Sequence, residues 1–367
     1  MILHIIPDFL NTSLYNLFIQ FLKKNGIENI VYVPSKYSGN NYLYKVDFLD
    51  RQFNLLDRFF YFRKQYCIYK NLINKNYVSD VKMIHAHNLF SVGLATMLLA
   101  KKKNIPYVVA VRNTDVNVFF KYMIHLRWLG VCILKNASKI VFLSPAYEKV
   151  VLERYVPVKL KETIKKKTII IPNGINKFFL KNLYARTKYK LNKDIKLLYV
   201  GEIVKNKNIE TTISACLNLQ TIGYQVSFSV VGRVLDYKIK ETIEQYPFIH
   251  YYLQCDQQEV LKHMRTSDIF IMPSITETFG LVYVEAMTQG MPIIYTKGQG
   301  FDGYFPQGTI GYAVDCFNQE DIVQKILKIY EDYDNISKRC IEKAHRFDWS
   351  KIALIYKNLY LSIINKS

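Results

Sequence analysis

Two glutamates are the first groups in this chain that could do chemistry. In SITETFGLVYVEAMTQGMPIIYT, residues 274–296, Glu277 and Glu285 lie eight positions apart, with Phe279 and Gly280 between them. Glu277, Thr278, Phe279 and Gly280 follow an apolar run and precede a helical pattern, LVYVEAMTQ. The first turn of such a helix leaves N–H groups unpaired and aimed back at the strand exit. The helix dipole adds partial positive charge there, so a phosphate or pyrophosphate is favoured. Gly280 allows a ligand to approach the backbone closely. The carboxylates do not attract phosphate themselves, but each accepts up to four hydrogen bonds, which suits the hydroxyls of a sugar or ribose. A phosphate carrying hydroxyl-rich groups is a nucleotide sugar. For an isolated pair at this spacing, a capping Glu277 and a Glu285 paired with a surface lysine is the commoner explanation. The strand–loop–helix setting and the trailing QGMPII favour the ligand reading.

The elements that must position these groups follow from the apolar pattern. Short runs rich in β-branched residues occur at 2–6, 30–33, 82–86, 107–112, 139–143 and 168–172. They recur at 196–200, 226–231, 249–253, 268–272, 292–296 and 310–314. Near-continuous runs of this kind fit strands covered on both faces. The segments between them predict helices over 14–25, 91–103, 117–135, 206–221, 257–266, 281–289, 319–332 and 351–364. The alternation predicts two doubly wound α/β domains, each built on a parallel sheet. The joint is expected around 172–196, where turn residues and lysines replace the apolar pattern. In open parallel sheets ligands bind beyond the carboxyl ends of strands. Four exits in the second half carry Gly, Lys or Glu: GEIVKNKN after 200, GRV after 231, PSITETFG after 272 and KGQGFDG after 296.

Composition sets the frame. Half of the 367 residues are hydrophobic, enough for sizeable cores. No stretch reaches the roughly 18 uninterrupted apolar residues of a spanning helix. MILHIIPDFL lacks a basic region before its apolar run and reads as a first buried strand rather than a secretion signal. The six cysteines are scattered without a C-x-x-C pair, which indicates neither zinc nor a disulfide framework and fits the cytoplasm. Charge is uneven: residues 1–180 hold 27 Lys and Arg against 10 Asp and Glu, and the remainder holds 23 against 20. Nucleic acid, an anionic membrane or a phosphate-bearing substrate could partner the basic half, and a solvated lysine-rich surface is the plain alternative.

Several motifs together resemble the GT-B glycosyltransferases of the large retaining group called family 4, the glycosyl transferases group 1. IIIPNGIN resembles the interdomain segment, LLYVGEIVKNKNIETTISA the first strand–loop–helix of the donor domain, and SDIFIMPSITETFGLVYVEAMTQGMPII the E-x7-E signature. RFDWSKIALIYKNLY resembles the terminal helix, and MIHAH and IPYVVAVRNTDVN resemble acceptor-domain strands. The resemblance implies two Rossmann-like domains with an interdomain cleft: 1–180 binding the acceptor, 181–349 binding the donor, and a helix near 350–367 packing back on the first. It implies that Glu277 contacts the transferred sugar and that the backbone at Phe279, Gly280 and Leu281 holds the phosphates. Glu285 would bind the ribose, Gly201 and Lys207 would form the donor loop, and Lys207 would neutralise the pyrophosphate. Ser274 and Thr278 complete the expected donor set. Two departures stand out: Glu202 replaces the usual Arg after the donor-loop Gly, and Arg112 falls where many members carry a His. Arg112, fixed by Asp115, is expected to take over part of the charge work.

The implied reaction moves a sugar from a UDP- or GDP-sugar to an acceptor hydroxyl with retained configuration. Retaining hydrolases use two carboxylates about 5 Å apart, and no second carboxylate is identifiable here as a nucleophile. A front-side displacement without metal is therefore the expectation. The acceptor would be a glycan or lipid-linked glycan of bacterial surface polysaccharide synthesis. A nucleotide-sugar epimerase or hydrolase is the alternative enzyme. A non-catalytic nucleotide-sugar binder is the alternative from another class, and its loss of Glu277 or Lys207 would be the sign; both are present. Nucleic acid is set aside because no recognition module appears. His85 and His87 on one strand face lack a visible third metal ligand, and no metal site is assigned. Asp332 and Asp334 in YEDYDN read as solvated surface, and KGQGFDG lacks dinucleotide-fingerprint spacing but suits a donor-site loop. The aromatic, basic stretch 49–75 reads either as a helix lying on an anionic membrane or as an ordinary packed helix. The expected location is the cytoplasm, with the inner face of the membrane as a peripheral seat.

Overall fold

The computed structural model describes residues 1–34, 47–50, 60–75, 78–186 and 193–365. The chain divides into two compact units. Unit 1 holds Met1–Leu143, Tyr147–Asn173 and Trp349–Ser367, and unit 2 holds Ser144–Ala146 and Gly174–Asp348.

In unit 1 the order is β1 (Ile2–Ile5), α1 (Ser13–Lys24), β2 (Asn29–Pro34), β3 (Phe48–Asp50), α2 (Tyr61–Ile73), β4 (Met83–Ala86), α3 (Leu89–Lys103), β5 (Tyr107–Val111), α4 (Arg127–Asn136), β6 (Lys139–Phe142), α5 (Pro145–Arg154), α6 (Val158–Lys165) and β7 (Thr168–Ile170). The strands form one parallel sheet in the order β3-β2-β1-β4-β5-β6-β7. Alternate residues of each strand supply opposite faces. Leu3, Ile5, Ile84 and Ala86 pack with α2, α3 and α4, while Ile2, Ile6 and Met83 pack with α1. The chain's last helix, Trp349–Ile364, covers that second face through Trp349, Tyr356 and Tyr360.

Unit 2 runs α7 (Lys177–Lys181), β8 (Asp194–Val200), α8 (Ile209–Thr221), β9 (Gln225–Val231), α9 (Tyr237–Glu244), β10 (Ile249–Tyr252), α10 (Gln257–Thr266), β11 (Ile269–Met272), α11 (Leu281–Thr288), β12 (Ile293–Thr296), β13 (Gly311–Val314), α12 (Gln319–Glu331) and α13 (Tyr333–Ala344); Trp349–Ile364 is then α14. Its parallel sheet has the order β10-β9-β8-β11-β12-β13. That is the doubly wound order in which two halves diverge from a central pair.

The sequence pattern misses β3, whose three residues are too few to show a period, and the helices α5, α6, α7, α9 and α13. The helix expected over 117–135 is broken. A wide turn covers Asp115–Phe120, a tight one Ile124–Leu126, and α4 begins only at Arg127. Met123 leaves helical geometry (φ −93°, ψ 68°), and Arg127 donates to the carbonyls of Phe120 and Lys121 that the break exposes. Residues 51–59 of the aromatic, basic stretch and 187–192 of the expected joint lie outside the described residues.

The start of α3 is held from a distance. Asn88 at its N-cap makes no side-chain capping bond. Instead the Asp115 carboxylate accepts the amides of Leu89 at 3.0 Å, Phe90 at 2.9 Å and Arg112 at 2.8 Å. Asp115 is fully buried, so each amide would lose its only acceptor without water to replace it. Orphaning a buried donor costs about 1–3 kcal/mol. Asp115→Ala is therefore expected to lower stability by roughly 3 kcal/mol or more, and Asp115→Asn, which keeps one oxygen, by clearly less. Urea unfolding of the two variants checks the order; equal losses would show that the carboxylate is not the cap.

Candidate active site

At the centre of the second sheet, β8 and β11 are neighbours, and their connections leave in opposite directions. The loop after β8 forms a tight turn at Lys205–Lys207 and ends on Asn208 in the left-handed region (φ 56°). The loop after β11 carries residues 273–280 into α11. The asparagines of VKNKN lace the two loops together. Asn206 donates to the Thr276 carbonyl at 2.8 Å and accepts from the Thr276 amide and hydroxyl. Asn208 donates to the Pro273 and Cys316 carbonyls. Between them, Lys207 Nζ reaches Glu277 Oε2 at 2.7 Å, with both side chains largely shielded from solvent. Glu277 Oε1 accepts the Thr278 amide at 2.9 Å.

The third loop, KGQGFDG, packs against the second. Gln299 Oε1 accepts the Glu277 amide at 3.2 Å, and the Gly300 amide donates to the Glu277 carbonyl at 3.0 Å. A Cβ on Gly300 would stand 2.2 Å from the Thr278 carbonyl oxygen, so only glycine fits. Phe279 is buried against the rings of Phe301, Tyr304 and Phe347, which leaves its backbone rather than its side chain for a ligand. Gly280 sits at φ 76° immediately before Leu281, and no side chain caps α11. Ser274 is fully buried; its carbonyl accepts Thr296 Oγ1 at 2.7 Å, and it supports the loop from behind.

Beside this pair, a cavity of about 350 Å³ opens at the exits of β8, β9 and β10, lined by Gly201, Glu202, Gly232, Arg233, Gln254 and Cys255. The two strand exits touch: a Cβ on Gly232 would lie 1.8 Å from the Gly201 carbonyl oxygen. Glu202 pairs with Arg233 at 2.7 Å, both exposed. Arg233 thus stands beside Glu202, where the resemblance implies an arginine, a cation whose only trace in the sequence is the GRV strand exit. Glu285, one turn into α11, has its carboxyl pushed up to about 7 by burial.

In unit 1, Arg112 follows β5 and is buried; its Nε donates to the His87 carbonyl at 3.0 Å. Asp115 receives the Arg112 amide, so it fixes the backbone at Arg112 and the start of α3. Burial raises the Asp115 carboxyl to about 6, against the opposing pull of the three amides and Arg112. A small pocket here is lined by Tyr15, Phe18, His87, Arg112, Trp349 and Tyr356. Asp332, of the D-x-D pattern, pairs with Arg339 at 2.8 Å, which holds its carboxyl below the usual range.

The family model for glycosyl transferases group 1 matches residues 184–347, the stretch that carries the Lys207–Glu277 pair and all three loops. That stretch of the chain is similar to the glycosyl transferases group 1. The α-monoglucosyldiacylglycerol synthase of Acholeplasma laidlawii is 27% identical over 324 residues, covering 81% of this chain and 79% of that protein. The sucrose-phosphate synthase of Thermosynechococcus elongatus superposes with a TM-score of 0.76 over 100% of this chain and 99% of that one, at 19% identity. HepE of Anabaena, solved with UDP and glucose, gives a TM-score of 0.68 over 98% and 99% at 16% identity. The fold is GT-B, and the enzyme is a glycosyltransferase.

The Glu285 carboxyl generates a pH signature. Its folded pKa lies above that of the unfolded chain, so the native state holds the proton longer. Stability is expected to fall as pH rises from about 4.5 to about 7 and to stay lower above that. Glu285→Gln should flatten this window and melt higher than the parent at pH 8. A melting-temperature series in matched buffers measures it, and an unchanged slope would locate the pH dependence elsewhere.

Proposed function

We propose that this glycosyltransferase moves a sugar from a UDP-sugar to a hydroxyl of a glycan or lipid-linked acceptor, with retention, in bacterial surface-polysaccharide synthesis. Unit 2 binds the donor and unit 1 the acceptor. The Lys207–Glu277 contact of 2.7 Å carries the reading. It holds a cation and a carboxylate together at the switch point of a doubly wound sheet, beside an uncapped helix start. An arriving pyrophosphate competes for Lys207, and the backbone at Phe279, Gly280 and Leu281 takes the phosphate oxygens. Lys207 then stabilises the departing nucleoside diphosphate, the charge that grows in the transition state. Glu277, relieved of its lysine, accepts hydroxyls of the transferred sugar, while Glu285 accepts those of the ribose. Its raised pKa means that ribose binding strengthens as the carboxyl ionises. The cavity at Gly201 and Gly232 is of a size for a nucleobase, and Ser274 and Thr278 hold the loop that shapes the phosphate seat. The UDP bound to HepE supports uridine over guanosine. No metal is assigned a part in leaving-group departure, because Lys207 supplies the charge.

Retention follows a front-side course: the anomeric carbon–oxygen bond to phosphate breaks as the acceptor oxygen bonds on the same face, and the acceptor proton passes to the departing phosphate oxygen. Arg112 is the catalytic candidate of unit 1, and Asp115 its positioning residue.

The acceptor's lipid character rests on a separate observation. Among the described residues, Phe62, Tyr122 and Trp128 are more than half exposed, and Arg63, Lys121 and Arg127 neighbour them in sequence. A ring contact between Tyr61 and Phe119 ties α2 to the turn that leads to Tyr122. Aromatic side chains mixed with cations suit the interface of an anionic bilayer, and the name of the Acholeplasma relative points to a lipid product. No helix among the described residues is long and apolar enough to cross a membrane.

The donor site is tested by thermal shift against UDP, GDP, ADP and CMP without added metal, followed by turnover of the matching sugars with the product anomer read by NMR. UDP should raise the melting temperature, and Lys207→Ala should abolish the rise. Arg112→Ala should cut turnover more than about threefold, roughly 0.7 kcal/mol at the transition state. No shift with any nucleotide would favour a non-catalytic protein, and an inverted anomer would remove the front-side course. Separately, the chain should sediment with vesicles containing phosphatidylglycerol and less so with neutral ones. Trp128→Ser with Phe62→Ser should release it; equal binding to both vesicle types would remove the membrane seat.

A further inference from the structure

The first sheet has its own switch point, between β1 and β4, and three histidines meet there. His4 and His85 are directly opposite in the β1–β4 register, and His87 lies two residues on, on the same face. All three are buried, beneath Phe18 of α1 and Tyr356 and Tyr360 of α14. One ring nitrogen from each lies within 4.8 Å of the others. The pattern MIHAH supplies two of them in sequence; the fold adds the third from β1.

The protonation pattern prepares this cluster to receive a ligand. Asn29 donates its amide to the Ile27 carbonyl at 2.7 Å, so its oxygen faces His4 Nε2 at 2.8 Å and must accept from it. His4 therefore carries its proton on Nε2 and turns the lone pair of Nδ1 inward, 3.1 Å from His87 Nε2. His85 Nδ1 meets the Tyr360 hydroxyl at 2.7 Å, and its Nε2 is buried with no partner. His87 Nδ1 is likewise buried without one. Leaving a buried polar nitrogen unsatisfied costs about 1–3 kcal/mol, and His85 Nε2, within the cluster, asks for an occupant. For His4 and His85, an outer nitrogen bonded to Asn29 or Tyr360 and an inner nitrogen turned into the cluster reproduce the arrangement that orients imidazole ligands around a metal.

We propose that His4 Nδ1, His85 Nε2 and His87 Nε2 bind a late first-row divalent ion, zinc foremost, at the switch point of the first sheet. Imidazole suits zinc, copper and nickel. Three nitrogens on a tetrahedral zinc with bonds of about 2.1 Å lie roughly 3.4 Å apart, so the cluster closes by a side-chain movement on the order of 1 Å. The proton on His87 Nε2, now donated to His4, moves to Nδ1 on binding. His87 lines a small pocket with Trp349 and Arg112, whose volume of about 10 Å³ is room for at most one water to accept that proton. Arg112 opposes the ion's charge, and Asp115 beside it offsets Arg112. No residue of the donor site takes part, so this ion would brace unit 1 rather than assist the leaving group.

The full chain, stripped with a chelator, is titrated with cobalt as a spectroscopic stand-in and with zinc by calorimetry. The expected result is one ion per chain, with the strong visible absorption of four-coordinate cobalt and no sulfur charge-transfer band. His85→Gln should abolish that spectrum. Asn29→Ala, which removes no ligand atom but frees His4 Nε2, should weaken zinc binding about 10- to 100-fold, and His263→Gln on the second unit should change neither. Weak octahedral absorption, a sulfur band, or zinc affinity unchanged in both His85→Gln and Asn29→Ala would overturn the site. The cobalt spectrum of the parent chain decides the matter even if a variant fails to fold.

Discussion

Parallel strands cannot be joined by tight turns, and this constraint organises both halves of the molecule. Every strand must be followed by a crossover that returns to the same end of the sheet, so all strand exits gather on one edge. Where the winding reverses, between β8 and β11 in one sheet and between β1 and β4 in the other, adjacent loops part and leave the backbone open. The cation–carboxylate pair occupies the first of these places and the histidine cluster the second. Neither location depends on the identity of its residues; the winding supplies both before any side chain is chosen.

What the residues add is rigidity. Lys207 is a long side chain with several rotatable bonds, and an exposed lysine–glutamate pair would contribute little. Here Asn206 and Asn208 fasten the Lys207 turn to the Pro273–Thr276 backbone, and Gln299 and Gly300 fasten the Glu277 backbone from the other side. The order of side chains in NKN, amide–ammonium–amide, thus places two clamps around one charge. The same economy appears in unit 1, where one buried carboxylate, Asp115, caps α3 and fixes the backbone of Arg112.

The departure at Glu202 acquires a physical meaning in the fold. A carboxylate in place of a cation after Gly201 would repel a diphosphate, but Arg233 from the neighbouring exit meets it at 2.7 Å. The local charge is restored by a residue more than thirty positions away. Exposed pairs of this kind exchange partners easily, so Arg233 is available to an anion that can compete with Glu202.

Much of the architecture was legible in the chain alone. Continuous apolar runs of β-branched residues mark buried parallel strands because no polar face has to be kept, and twelve such runs were enough to read two doubly wound sheets. The E-x7-E stretch was legible because strand, loop and helix are adjacent in sequence, as were Gly201 and Lys207. Three-residue β3 and the broken 115–136 segment were not, since a short strand has no period and a break is set by what packs against it. Contacts between distant exits were beyond the sequence altogether. Nothing within MILHII indicates that His4 lies beside His85, nothing in GRV that Arg233 meets Glu202, and nothing in VRNTD that Asp115 caps a helix starting 26 residues earlier. Local periodicity decides which segments are strands and helices; strand order decides which of their side chains meet, and only the folded sheets contain that order.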